Sequence, residues 1–128
     1  MNYALNFLQN IPYDQLVSRY TSNGAGFQTP YGLLYNNRGD CDTKSVALAA
    51  ILRNLFPELR IVMVYVPEHA FVGVHFKPGK KDYALQLGGQ PFVLAEPTGP
   101  SLAPLGRLDD RALSYLDSGK FSYQEVPF

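Results

Sequence analysis

An apolar run over residues 46–55, VALAAILRNL, is the feature that most constrains how this chain folds. Small or apolar side chains recur at helical spacing around it, at Cys41, Ser45, Leu48, Leu52 and Leu55. A helix that is apolar on nearly every side must be covered on more than one side. The sequence therefore predicts a central helix over 41–55, with Asp40 as its N-cap.

The chain before this helix predicts less regular structure. Residues 2–10 carry Leu5, Phe7 and Leu8 and predict a short helix that stops before Pro12. Residues 14–20 predict a further turn or two of helix. The stretch 22–39 is rich in glycine and asparagine and predicts a loop, with aromatic anchors at Phe27, Tyr31 and Tyr35.

The hydrophobic period changes after Pro57 from helical to strand-like. Residues 60–66, RIVMVYV, predict a strand that is buried on both faces. Further strands are predicted over 69–76, 83–87 and 92–95, the last two joined by a hairpin at Gly88-Gly89-Gln90, and the tail predicts a helix over 109–117 and a strand near 121–126. A central helix followed by antiparallel strands is an α+β fold.

Length and charge narrow the classes of function. At 128 residues we expect a single domain, 1–128, which is equally compatible with a domain cut from a longer protein. Acidic and basic residues balance at 11 each, so we expect no nucleic-acid partner. No segment has the roughly 18 uninterrupted apolar residues of a membrane span, and the N-terminus does not resemble a secretory signal. We expect no membrane contact from this chain, and the sequence does not identify a compartment.

Cys41 is the only cysteine, and it lies at the predicted start of the central helix. The positive end of a helix dipole favours the thiolate there. Arg38 and Lys44 support a thiolate, whereas Asp40 and Asp42 oppose it. A lone cysteine is more often a buried structural residue, so the position alone leaves both interpretations open.

His69 and Glu96 are the candidate partners of the thiol. His69 begins a predicted strand after a proline-containing turn, and His75, about 20 Å further along an extended strand, is too distant to serve the same site. Glu96 closes an apolar strand, where a carboxylate is either solvated or held by a partner such as an imidazole on a neighbouring strand. One cysteine and two separated histidines lack the paired spacing of a metal site, so we expect no metal and no cofactor.

Three motifs in this order resemble the transglutaminase-like superfamily of cysteine enzymes, and more narrowly its bacterial and archaeal cysteine proteases. They are Gly39-Asp40-Cys41-Asp42-Thr43-Lys44-Ser45, then Glu68-His69-Ala70-Phe71-Val72-Gly73-Val74, then Ala95-Glu96-Pro97-Thr98. The upstream run Phe7-Leu8-Gln9-Asn10-Ile11-Pro12-Tyr13 is similar to the end of that group's N-terminal helix. The resemblance covers roughly residues 5–99.

This resemblance implies a papain-like core with the cysteine helix packed on an antiparallel sheet. It implies Cys41 as nucleophile, His69 as general base and acid, and Glu96 as the residue that orients the imidazole. Gln9 is the candidate oxyanion donor, with Tyr13 as the alternative and the Cys41 amide as a second donor. The implied activity is hydrolysis of an amide in a peptide or protein substrate through an acyl-enzyme. The alternative is a catalytically silent binding or regulatory domain on the same fold.

Overall fold

A five-stranded antiparallel sheet forms the frame of the molecule in a computed structural model that describes residues 1–14, 29–99 and 102–128. Its strand order is β3-β4-β2-β1-β5. The strands are β1 (Ile61–Val66), β2 (His69–His75), β3 (Ala84–Leu87), β4 (Gln90–Ala95) and β5 (Ser122–Glu125). The predicted α+β class is confirmed, and the five strands lie where strands were predicted, over 60–66, 69–76, 83–87, 92–95 and near 121–126.

Four helices accompany the sheet within the described residues. They are α1 (Asn2–Gln9), α2 (Pro30–Asn36), α3 (Cys41–Leu55) and α4 (Asp110–Asp117). None of these helices is long and apolar enough to cross a lipid bilayer. The β3–β4 hairpin turns at Gly88 and Gly89, which both have positive φ, as a tight two-residue hairpin requires.

Helix α3 is the central helix that its sequence predicted. The Asp40 side chain accepts a hydrogen bond from the Thr43 amide at 3.0 Å and so caps its first turn. Its buried side chains pack on one face of the sheet, against Val72 and Val74 of β2, while α1 and α2 cover its other sides. The all-round apolar pattern therefore reflects contact with a sheet on one side and helices on the others.

The opposite face of the sheet packs on α4. Phe71 of β2 and Val64 of β1 join Ala112 of α4 in a second apolar cluster. Phe71 and Val72 thus face opposite ways, as strand alternation demands. Along β2, His69 is on the same face of the sheet as Phe71. It is the first residue of the strand and belongs to neither apolar cluster.

The predicted loop over 22–39 is wrong over residues 30–36. Pro30–Asn36 is a helix, with Thr29 accepting from the Gly32 amide at 3.1 Å and Pro30 at its first turn. Tyr31 and Tyr35 are 81% and 83% exposed, so they are not anchors, and Leu33 is the buried residue. Phe27 and the helical turn predicted over 14–20 lie outside the described residues, apart from Asp14.

Candidate active site

The start of α3 is held by the backbone before it. The Gly39 amide donates to the Pro12 carbonyl at 3.1 Å, and the Asp14 amide donates to the Gly39 carbonyl at 3.0 Å. This parallel bridge places Tyr13 beside Gly39, in the segment that leads into Cys41. Cys41 is partly exposed at the first position of the helix, with its Sγ 3.8 Å from Asp42 Oδ1.

His69 and Glu96 reach Cys41 from two neighbouring strands. His69 is the first residue of β2, and Glu96 directly follows β4, which pairs antiparallel with β2. The Ser45 hydroxyl donates to the Ala70 carbonyl at 3.1 Å, so α3 is tied to β2 next to His69. His69 Nε2 is hydrogen-bonded to Glu96 Oε2. The structure thus brings Cys41, His69 and Glu96 together.

The charge of His69 is set by its two neighbours. Burial on its own would lower the pKa of the imidazole, but hydrogen bonds and charges from Cys41 and Glu96 outweigh burial and raise that pKa to about 10. At neutral pH the imidazole is therefore protonated and held between a thiol group and a carboxylate. Because Glu96 occupies Nε2, Nδ1 is the ring nitrogen that remains available to Cys41.

Both oxygens of the Glu96 carboxylate are engaged. Oε2 contacts His69, and Oε1 accepts from the Thr98 amide at 3.1 Å. The Glu96 side chain is only 13% exposed. A carboxylate fixed at both oxygens has little freedom to rotate, so it holds the imidazole in one orientation.

The side chain of Gln9 connects backbone segments and is not available as an oxyanion donor. It is 1% exposed, and its Nε2 donates to the Glu96 carbonyl at 2.7 Å and to the Ala103 carbonyl at 2.8 Å. Its Oε1 accepts from the Ala103 amide at 3.2 Å. A side-chain amide has two hydrogens, and both are used here. Gln9 therefore fixes the segment that carries Glu96, and we do not retain it as an oxyanion donor.

Tyr13, the alternative donor, lines the same groove as Cys41. Burial raises the pKa of its hydroxyl, and the negative charges of Cys41, Asp40, Asp42 and Asp14 raise it further. The hydroxyl therefore keeps its proton at neutral pH and can donate a hydrogen bond. The Cys41 amide, in the first turn of a helix, has no carbonyl partner inside that helix.

The sequence analysis did not predict that the side chain of Lys44 is buried. Its side chain is completely buried, and its Nζ donates to the Ile11 and Thr98 carbonyls, both at 2.5 Å. Burial lowers the pKa of Lys44, and the charge of Glu96 opposes that shift. A signal for this burial was available in the sequence. Lys44 belongs to a helix that is apolar on nearly every side, and a lysine in such a helix is buried.

One group of side chains in the described part of the chain could ligate a metal ion. His69, Glu96 and Asp109 each offer one ligand atom, and these atoms lie within 4.8 Å of one another. Asp109 is exposed and caps α4, with its Oδ1 accepting from the Ala112 amide at 2.7 Å. A cation there would compete with the proton on His69 Nε2, so this group is not independent of the Cys41 site.

His69 lines two surface grooves. The first groove, called here the Cys41 groove, has a volume of about 380 Å³, and its lining includes Tyr13, Asp40, Cys41, Asp42, Tyr65 and Glu68. A second groove of similar volume, about 380 Å³, lies beyond His69 along Glu96, Thr98 and Gly99. A substrate in the first groove would meet the thiol and the imidazole from the same side.

No family model matches this chain, and no curated protein and no solved structure matches it either. The site is therefore interpreted from its own geometry and chemistry. The resemblance of its motifs to the transglutaminase-like superfamily remains a prediction.

Replacing Gly99 with alanine should destabilise the protein far more than the same change at Gly89. Both glycines have positive φ, 69° and 78°, so both substitutions cost about 1–2 kcal/mol in backbone strain. A Cβ at Gly99 would lie 2.2 Å from the Gln9 carbonyl oxygen, whereas one at Gly89 meets nothing within 4 Å. We expect Gly99→Ala to cost at least about 3 kcal/mol in urea unfolding. Equal losses in the two variants would contradict the packing of Gly99 on Gln9.

Proposed function

We propose that this chain is a cysteine-dependent amide hydrolase in which Cys41, His69 and Glu96 form a catalytic triad. The observation that carries the proposal is the position of His69, which lines the same groove as Cys41 and is hydrogen-bonded through Nε2 to a fixed carboxylate. A nucleophile, a base and an orienting group in hydrogen-bonded sequence are the requirements of nucleophilic acyl transfer.

The first half-reaction transfers the acyl group to sulfur. The Cys41 thiolate attacks the carbonyl carbon of the substrate amide and forms a tetrahedral intermediate. The proton on His69 passes to the amide nitrogen, the carbon–nitrogen bond breaks, and the amine leaves. The products of this step are a thioester on Cys41, a neutral His69 and the free amine.

The second half-reaction uses water. Neutral His69 takes a proton from water while the water oxygen attacks the thioester carbonyl. The carbon–sulfur bond then breaks, which releases the carboxylic acid and restores the thiolate and the protonated imidazole. Glu96 keeps the imidazole in place and stabilises its positive charge in both steps.

Two groups are candidates for stabilising the oxyanion of each tetrahedral intermediate. The Cys41 amide is at the N-terminus of α3, where backbone donors and the helix dipole favour negative charge. The Tyr13 hydroxyl lies in the same groove and carries its proton at neutral pH. These two donors replace the assignment of Gln9.

The resemblance to transglutaminase-like cysteine proteases supports the same proposal from the motifs. A cysteine at the start of a helix that packs on an antiparallel sheet bearing histidine and an acid is the arrangement expected of a papain-like core. The proposed substrate is a peptide or protein, and hydrolysis is preferred to crosslinking because the bacterial members of that group are usually interpreted as proteases. A silent binding domain on the same fold is the competing proposal.

The rate of Cys41 alkylation by iodoacetamide at pH 7 tests the proposal, since this is the only cysteine. The thiolate is the reactive form of a cysteine, and a free thiol is mostly protonated at this pH because its pKa is about 8.5. We expect Cys41 to react at least about tenfold faster than a free thiol at pH 7, because protonated His69 favours the thiolate. The raised pKa of His69 means that this imidazolium persists as pH rises and is lost only near pH 10.

The matched variants are His69→Ala and His75→Ala. His75 lies on the same strand but is hydrogen-bonded to the Pro91 carbonyl, away from Cys41. His69→Ala should lower the alkylation rate at pH 7 to about that of a free thiol, and His75→Ala should leave the rate unchanged. A wild-type rate near that of a free thiol, which His69→Ala does not lower, would favour the silent binding domain.

A further inference from the structure

The Cys41 groove is lined by carboxylates and by tyrosine rings. Asp40, Asp42 and Glu68 contribute the carboxylates, and Tyr13 and Tyr65 contribute the rings. No lysine or arginine is among the lining residues in the described ranges of the chain, and the cation among them is the His69 imidazolium. Because three carboxylates outnumber this one positive charge, the groove is negative around its nucleophile even though the whole chain has a formal net charge of zero.

These carboxylates are close enough to influence the reacting groups. Burial and the charge of Asp40 raise the pKa of Asp42, while its hydrogen bond with Cys41 and the charge of His69 lower it in part. A further anion brought into such a groove is repelled, and a cation is attracted. The charge pattern thus selects among substrates by the sign of their side chains.

Glu68 occupies the rim of the groove in an unusual backbone conformation. Its φ is 62°, in the left-handed region that glycine or asparagine adopts at lower cost. Its side chain is 86% exposed, and its contact with Arg111 at 3.8 Å is an exposed ion pair of little strength. A cation on a substrate can displace Arg111 from this carboxylate.

The two tyrosines complete the binding surface for a cation. Tyr13 is 50% exposed and Tyr65 is 36% exposed, so both side chains are partly accessible from solvent. The faces of tyrosine rings attract lysine and arginine side chains, more strongly where carboxylates are also near.

We propose that the Cys41 groove takes a peptide segment that carries a lysine or arginine side chain, held by Asp42 and Glu68 between the rings of Tyr13 and Tyr65. The assignment of this segment as the acyl-transfer substrate rests on the proposed function. The preference for positive charge is separate from turnover, because it can be measured at the thiol itself.

Charged methanethiosulfonate reagents measure this preference directly. The Cys41 sulfur attacks the sulfur of the reagent, a mixed disulfide forms, and methanesulfinate leaves. The reagent with a trimethylammonium-ethyl group is compared with the one that carries a sulfonate-ethyl group, and each rate is divided by its rate with 2-mercaptoethanol. We expect the normalised cation-to-anion ratio to be about ten or more at low salt, and to fall towards one in 1 M NaCl.

The variants identify the groups responsible. Glu68→Gln and Asp42→Asn should each lower the ratio about twofold to threefold, and together more. Glu58→Gln removes the same charge beyond the opposite end of α3 and should leave the ratio unchanged. A wild-type ratio of one or below would overturn the inference, as would equal effects of Glu68→Gln and Glu58→Gln. The neutral methyl reagent reports thiol activation alone, so a slow neutral reaction with a high ratio would count against the proposed function and leave the charge preference supported.

Discussion

Replacing His69 with alanine should lower kcat/KM for amide hydrolysis by at least about a thousandfold, as losing the base of a catalytic triad does in general. In the proposed mechanism His69 both stabilises the thiolate and protonates the leaving amine. Cys41→Ala should remove hydrolysis completely. The measurement uses the most rapidly cleaved member of a fluorogenic peptide library, with His75→Ala as the control that keeps full activity.

The loss should be non-additive between His69 and Glu96. Glu96 contacts the imidazole and the Thr98 amide, and in the proposed mechanism it acts on the substrate only through His69. Glu96→Gln alone should cost about ten- to a hundredfold, because it keeps the shape of the side chain and removes the charge. The double variant His69→Ala with Glu96→Gln should be no slower than His69→Ala alone. A further loss in the double variant would show that Glu96 has a role independent of the imidazole.

The elements that the sequence predicted correctly are those whose signal is local. Helix α3 is specified by its own periodicity and by Asp40 as N-cap, so no other part of the chain was needed to predict it. The β3–β4 hairpin is specified by Gly88-Gly89, which supplies two residues of positive φ. Helix α2 also had a local signal, Thr29 followed by Pro30, but its seven residues are too short for a clear hydrophobic period.

The candidate triad could be proposed from sequence because its members lie at the ends of elements. Cys41 begins a helix, His69 begins a strand and Glu96 directly follows a strand. Antiparallel pairing of β2 and β4 places the start of one beside the end of the other, so proximity of His69 and Glu96 follows from topology. The proximity of His69 to Cys41 needed the packing of α3 on β2, which no local pattern specifies.

Gln9 and Lys44 could not be assigned for the same reason. Gln9 bonds to groups 87 and 94 residues away, and Lys44 bonds to carbonyls 33 and 54 residues away. Both side chains join the end of α1 and its following loop to the segment after β4. Such contacts depend on the whole fold. A polar residue within an apolar pattern therefore indicated that its side chain needs a hydrogen-bond partner, but not which group that partner is.

Lys44→Met should be the most destabilising change among the lysines of the described residues, with a loss of about 3 kcal/mol or more in the free energy of unfolding. Methionine keeps the length of the side chain but leaves the Ile11 and Thr98 carbonyls without their charged donor. The gain from no longer burying an ammonium group offsets only part of this loss. Lys77→Met, at an exposed lysine, is the matched control and should change stability by less than about 0.5 kcal/mol in the same urea titration.

The same variant should also impair the site while it remains folded. Lys44 holds the segment that carries Glu96 through the Thr98 carbonyl, and its charge interacts with the Glu96 carboxylate. Without it, Glu96 is less firmly placed against His69, so the rate of Cys41 alkylation at pH 7 should fall towards that of a free thiol, measured below the urea concentration at which unfolding begins. A stable, folded Lys44→Met with the wild-type alkylation rate would contradict this coupling, and the buried lysine would then stabilise the fold alone.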